Sequence, residues 1–249
     1  MKNPKEMSHG TTAFGFVYMD ADDMELKVIM ASDGQIDDKD FIVSDNFKKY
    51  YQDGNVVVMI ASNDQDCKGA IQNILKKHKV LPQNFVGLVN VFSDAMEPPR
   101  CASFIIGVLD SICPYVIAMH SMLKMDHTTS DIVGGVGLGC DHALKALEYR
   151  SSRAVKKYVV RKQQFGSDPT NPMEEIPIVS ASQALKWVHE AMVYAADLDN
   201  NKMGGSFYDV FCGELVDGRA SWEHQRFDFE EMKCSFPECY FYYLATDGA

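Results

Sequence analysis

The spacing of apolar positions changes several times along the chain, and each change marks an element. Residues 11–18 alternate small or polar with apolar residues, which predicts a β-strand. DADDME at 20–25 follows as an acidic turn, and KVIMA at 27–31 predicts the returning strand of a hairpin. NVVVMIA at 55–61 is a continuous apolar run, the pattern of a buried strand. A helix is expected next. Asp64 or Asp66 can cap it, Cys67, Ile71, Ile74 and Leu75 share one face, and His78 with its neighbouring lysines suits the helix end. Pro82, Pro98 and Pro99 limit any helix between Leu81 and Arg100 to a short one.

Two more strands are expected at 103–109 (SFIIGVL) and 115–119 (YVIAM), with the turn at 110–114. IVGGVGLG at 132–139 reads as a strand running into a glycine-rich turn, and a helix from about 141 to 150 follows. Residues 151–179 are polar, hold Lys, Arg, Gly and Pro, and read as an inserted loop. The clearest helix is 181–198: Ser180 and Gln183 form a capping box, and Leu185, Val188, Met192 and Ala195 make an apolar stripe. Gly204-Gly205 then separates it from a strand at 206–214. Strands grouped on either side of helix pairs suggest antiparallel sheets covered by helices, an α+β or layered α/β class.

Composition narrows the function classes. A chain of 249 residues with 46% hydrophobic and 24% charged residues is that of a globular protein able to bury a core. A net charge of −11 argues against nucleic-acid binding, which needs a concentrated basic surface. MKNPKEMSHG holds no apolar run and is not expected to be a secretory signal, and no stretch of 18 uninterrupted apolar residues predicts a membrane span. The seven cysteines are irregularly spaced without a CxxC, and the seven histidines are scattered, so reduced thiols and no metal are expected.

Five stretches, in order, carry a resemblance. Gly10-Thr11-Thr12-Ala13-Phe14-Gly15-Phe16 resembles the processing site and first strand of a proteasome beta-type subunit, most of all the chymotrypsin-like catalytic type. Lys27-Val-Ile-Met-Ala-Ser-Asp33 is similar to the second strand, which ends in the family's catalytic aspartate, and Asp66-Cys67 opens the first helix as in that type. Gly134-Gly-Val-Gly-Leu-Gly139 before a helix is similar to the family's glycine turn, and Ala195 to Gly205 before a strand is similar to its late Gly-Gly segment. The resemblance covers about residues 10–232 and is weakest at 80–100 and 151–179. It implies a four-layer αββα sandwich, two stacked antiparallel sheets between helical layers, as in N-terminal nucleophile hydrolases. Residues 1–10 would be a propeptide and 11–249 one domain with an insertion near 151–179.

The activity implied is a threonine-type endopeptidase acting on unfolded or ubiquitin-tagged polypeptides. Cleavage between Gly10 and Thr11 would free the Thr11 α-amine, with a reference pKa of about 7.7–8.0, to accept the proton of the Thr11 hydroxyl. By the family's spacing Asp33 is the aspartate and Lys48, 19 residues before Cys67, the lysine; Lys49 is the alternative if the loop is offset by one residue. Ser62 would supply a backbone N–H as oxyanion donor. Ile36, Ile60 and Asp64 fall in the specificity pocket, although Asp64 reads equally as the helix cap. No cofactor is implied. The partners would be other alpha- and beta-type subunits in stacked rings, with no nucleic acid or membrane, in cytoplasm and nucleus.

Several supporting positions depart from the family. Leu138 stands for a serine of the glycine turn, Asn200 for an aspartate, with Asp199 adjacent, and Met203 for a second serine. Gln35 stands for an arginine. These replacements remove polar partners of the threonine amine, which supports an alternative: a non-catalytic beta-type subunit that contributes to ring assembly.

Overall fold

The computed structural model describes residues 12–34, 36–38, 41–44, 48–61, 73–74, 76–78, 80–82, 84–96, 103–111, 114–119, 130–131, 133–137, 139–161, 173–198 and 206–235. Over these residues the chain is a mixed α/β protein built on two large sheets and one small one.

The first sheet begins with β1 (Ala13–Asp20) and β2 (Leu26–Asp33), paired antiparallel from Ala13↔Ser32 to Met19↔Leu26. The acidic turn closes them, with Met24 at φ 59° and the Glu25 N–H bonded to Asp23 Oδ1 at 2.9 Å. Lys27 gathers Asp20, Asp23 and Glu214 at 2.7–2.9 Å, so two carboxylates of the acidic turn and one from a distant strand share a single cation. β13 (Phe207–Val216) joins β2 on its far side, and β14 (Arg219–Asp228) closes that edge. On its other side β1 takes β10 (Val133–Val136) antiparallel over Ala13–Phe16 and β12 (Met173–Val179) parallel over Met19–Asp20. β11 (Lys157–Arg161) pairs with β12 at the outer edge, which makes seven strands.

The second sheet runs β5 (Tyr50–Asp53), β6 (Val56–Ala61), β7 (Ser103–Val108), β8 (Tyr115–Met119) and β9 (Ser130–Asp131), all antiparallel neighbours. β3 (Ile36–Asp38) and β4 (Phe41–Ser44) form a separate two-stranded ribbon. Four helices stand among the described residues: α1 (Phe85–Met96), α2 (Cys140–Ser152), α3 (Ala181–Leu198) and α4 (Phe229–Ser235).

Strand alternation sorts the apolar side chains into three buried clusters. Val56, Val58 and Ile60 of β6 meet Phe104, Ile117 and Leu88, Val89 and Phe92 of α1. The intervening residues Val57 and Met59 instead join Val28 and Met30 of β2, Ile105 and Val116, so side chains of both large sheets share one core. Phe14, Phe16, Ile29 and Ala31 turn the other way, toward Leu147 of α2, Trp187 and Val188 of α3 and Phe229 of α4. The continuous apolar run of β6 is thus a strand covered on both faces, as its pattern predicts.

The expected α3 is seen over Ala181–Leu198, with the Gln183 N–H donating to Ser180 Oγ at 3.3 Å. α1 runs 12 residues, longer than its prolines suggest, because Pro98 and Pro99 lie beyond its end. One expectation needs correction. Residues 151–179 are not simply a loop: 151–152 end α2, and β11 and β12 form a ladder from Lys157↔Pro177 to Arg161↔Met173. The charged residues Lys157, Glu174 and Glu175 within these strands hide their apolar alternation. β5 and β14, both edge strands, also escape the pattern, because an edge strand needs no strong apolar face.

Candidate functional site

β2 ends at Asp33, and the backbone there is locked to the start of β1. The Asp33 N–H donates to the Thr12 carbonyl at 3.0 Å, and the Thr12 N–H donates to Asp33 Oδ2 at 2.7 Å. The second carboxylate oxygen, Oδ1, accepts from Lys49 Nζ at 2.8 Å. Thr12, Asp33 and Lys49 are 2%, 1% and 5% exposed, so this is a buried ion pair with a backbone donor on its other oxygen. A buried charge pair depends on hydrogen bonds that replace water, and each oxygen of the Asp33 carboxylate has a strong donor here.

Lys49 reaches this point from the other sheet. It immediately precedes β5, and its carbonyl accepts the Ile60 N–H at 2.9 Å, an extension of the β5–β6 ladder. The pair therefore joins one sheet's edge to the end of a strand in the other. The family's spacing selects Lys48, with Lys49 as the alternative, and it is Lys49 that pairs with Asp33. Lys48 is exposed, with Nζ 6.0 Å from the centroid of the Tyr50 ring. Consecutive residues in extended backbone point to opposite sides, so only one of the two lysines can turn inward.

Of the remaining predicted residues, Gly10, Thr11, Ser62, Asp64, Leu138, Asp199, Asn200 and Met203 lie outside the described residues. Ile36 opens β3. Ile60 is 7% exposed and packs in the cluster with α1. Asp33 is thus brought together with Lys49 and with Thr12, the neighbour of Thr11 in the chain.

A second polar cluster, not anticipated from sequence, lies beside the first. Asp209 of β13 pairs in register with Ser32, one residue before Asp33, and is 1% exposed. Arg226 grips it with two bonds, Nε to Oδ1 at 2.9 Å and a terminal nitrogen to Oδ2 at 2.8 Å. His224 Nε2 lies 2.7 Å from the same Oδ1. Tyr50, which follows Lys49, covers the group: its ring centroid lies 4.7 Å from that of Phe211 and 4.9 Å from that of His224. His224 and Arg226 lie on β14, alternate residues of one strand face, and Asp209 on its partner β13. Only the register of that hairpin assembles them.

Three other reactive groups among the described residues, Cys140, Cys212 and His189, are poorly placed for chemistry. Burial, with Asp141 beside it, pushes the Cys140 thiol up to about 12, and burial does the same to Cys212 with Glu223 and Glu214 near. His189, bonded through Nδ1 to the Tyr208 hydroxyl at 2.6 Å, is lowered to about 4 by burial and stays neutral. Among the described residues no group of three His, Cys, Asp or Glu side chains is spaced to hold a metal ion. No helix among them is long and apolar enough to cross a membrane.

An ammonium held beside a carboxylate can lower the pKa of a neighbouring amine and favour its neutral, proton-accepting form. In comparisons with known proteins, no family model matches the chain and no curated protein matches it.

Proposed function

We propose that the chain is a beta-type subunit of a proteasome-like particle, with Thr11 as a threonine-peptidase nucleophile once the Gly10–Thr11 bond is cut. One observation carries this reading: Asp33 holds the Lys49 ammonium on one oxygen and the Thr12 N–H on the other. That nitrogen is bonded directly to the carbonyl carbon of Thr11. The arrangement ties a lysine–aspartate pair to the backbone position where a liberated amino terminus would begin. Asp33 would orient Lys49, and Lys49 would bias the Thr11 amine toward its neutral form, ready to take the hydroxyl proton.

The finer architecture belongs to the same proposal. Apolar clusters between the large sheets and on the helix-bearing side of each support a four-layer αββα sandwich of the N-terminal nucleophile hydrolase type. Its substrates would be unfolded or ubiquitin-tagged polypeptides, its partners alpha- and beta-type subunits in stacked rings, and its location the cytoplasm and nucleus.

The test is co-expression with partner subunits, followed by intact-mass measurement and incubation with a threonine-directed epoxyketone. A chain beginning at Thr11 that gains one covalent adduct supports the reading. A chain still carrying residues 1–10 and taking no adduct, while another subunit in the same particle is labelled, overturns it. Leu138, Asn200 and Met203 favour the second reading, a ring-building subunit without activity. Incorporation of an unprocessed, unlabelled chain into a ring would establish that role.

A further inference from the structure

The outer edge of the seven-stranded sheet carries features the peptidase reading does not use. β11 is terminal in the strand order, and no strand among the described residues pairs with its far side. The Ile178 N–H donates to the Lys156 carbonyl at 3.0 Å, which sets the phase of the ladder. Alternation then turns the backbone N–H and C=O groups of Lys157, Val159 and Arg161 outward, off the edge. Every residue from 155 to 159 is exposed, including Val155 at 98%, Tyr158 at 43% and Val159 at 48%. Tyr158 and Val159 project to opposite faces and both are exposed, whereas Ile176 of β12, opposite Tyr158, is buried in the core.

Charge identifies what fits. Residues 153–161 hold four cations, Arg153, Lys156, Lys157 and Arg161, and no carboxylate, in a chain of net charge −11. Lys157 also lies 3.4 Å from Glu175 of β12, an exposed pair that leaves its ammonium open to a second carboxylate. A second copy docking β11 against β11 antiparallel, centred on Val159, would set Lys157 opposite Arg161, and like charges facing across strands destabilise the pair. An extended acidic segment has neither problem. Its backbone completes the outward rungs, its carboxylates face the cations, and its apolar residues cover Tyr158 and Val159.

We propose that β11 is a docking edge for an acidic, extended segment of another polypeptide, which adds to the sheet as an eighth strand by β-augmentation. The cations bring the segment in, and backbone pairing fixes its direction and register. Nothing in this depends on whether Thr11 is catalytic.

The full chain should be titrated, by fluorescence anisotropy, with a labelled peptide alternating Glu and Val, with a Lys–Val peptide of the same length, and with the Glu–Val peptide N-methylated along its backbone. The Glu–Val peptide should bind, more weakly as salt rises, and N-methylation should weaken it by about tenfold or more, because an edge strand needs backbone donors. The double variant Lys157→Glu/Arg161→Glu, which leaves the ribbon's apolar residues in place, should reverse the preference toward the Lys–Val peptide. Absence of binding, equal binding of both peptides, or indifference to N-methylation would overturn the proposal. So would a short oligonucleotide that binds as tightly as the Glu–Val peptide, since the edge would then be a site for polyanions in general.

Discussion

Lys49 places its ammonium 2.8 Å from Asp33 Oδ1, and both side chains are almost wholly buried although they belong to different sheets. Removing the charge from such a pair leaves a carboxylate in a site that water reaches poorly. Lys49→Ala is therefore expected to destabilise the fold by about 3–5 kcal/mol, and Lys48→Ala to change it by no more than about 0.5 kcal/mol. Urea denaturation of the two variants checks this. Equal effects would mean that the ion pair is not the inward lysine's main role.

Asp209 and Arg226 offer a test of geometry instead of charge. The guanidinium meets both carboxylate oxygens at once, at 2.9 and 2.8 Å, which an ammonium cannot do. Arg226→Lys keeps the charge and loses the fork, and an expected cost of about 1–3 kcal/mol follows. A denaturation midpoint unchanged from the parent would show that His224 and the point charge suffice.

Gly213 lies directly under the Trp222 ring, where an added Cβ would overlap the indole carbons. Gly213→Ala should cost about 1–3 kcal/mol through overpacking. Trp222→Leu in the same chain should recover part of that loss, because the ring is what the methyl meets. A double-mutant cycle measures the coupling, and strictly additive effects would refute it.

His189 carries a pH signature. Its pKa falls from 6.5 to about 4 on folding because burial disfavours the imidazolium. The unfolded chain therefore binds the proton more readily, and the native state's advantage is full above pH 6.5. That advantage is lost progressively as pH falls from about 6.5 to about 4, by on the order of 3 kcal/mol. His189→Phe should flatten the stability profile across this window, even if its stability at pH 7 is lower. A variant that loses as much as the parent between pH 6.5 and 4 would assign the acid sensitivity to other groups.

Elements whose signals are local were readable in the chain itself. Ala181–Leu198 announces both its length and its start, because a 3.6-residue stripe and a serine cap depend only on neighbours in sequence. The run at Val56–Ala61 states its burial directly, and the β1–β2 hairpin follows from alternation around an acidic turn. Asp33 became a candidate only through the resemblance of its stretch to the family's second strand; its local pattern is that of a turn residue beside Gly34. The tertiary structure decided what depends on distant partners: which of two adjacent lysines turns inward, that β14 carries His224 and Arg226 to Asp209, and that the charged 157–161 and 173–179 segments pair as strands. Side-chain direction in an irregular segment, hairpin register and edge pairing are set by contacts between residues far apart in the chain. No local pattern of apolar and polar residues encodes them.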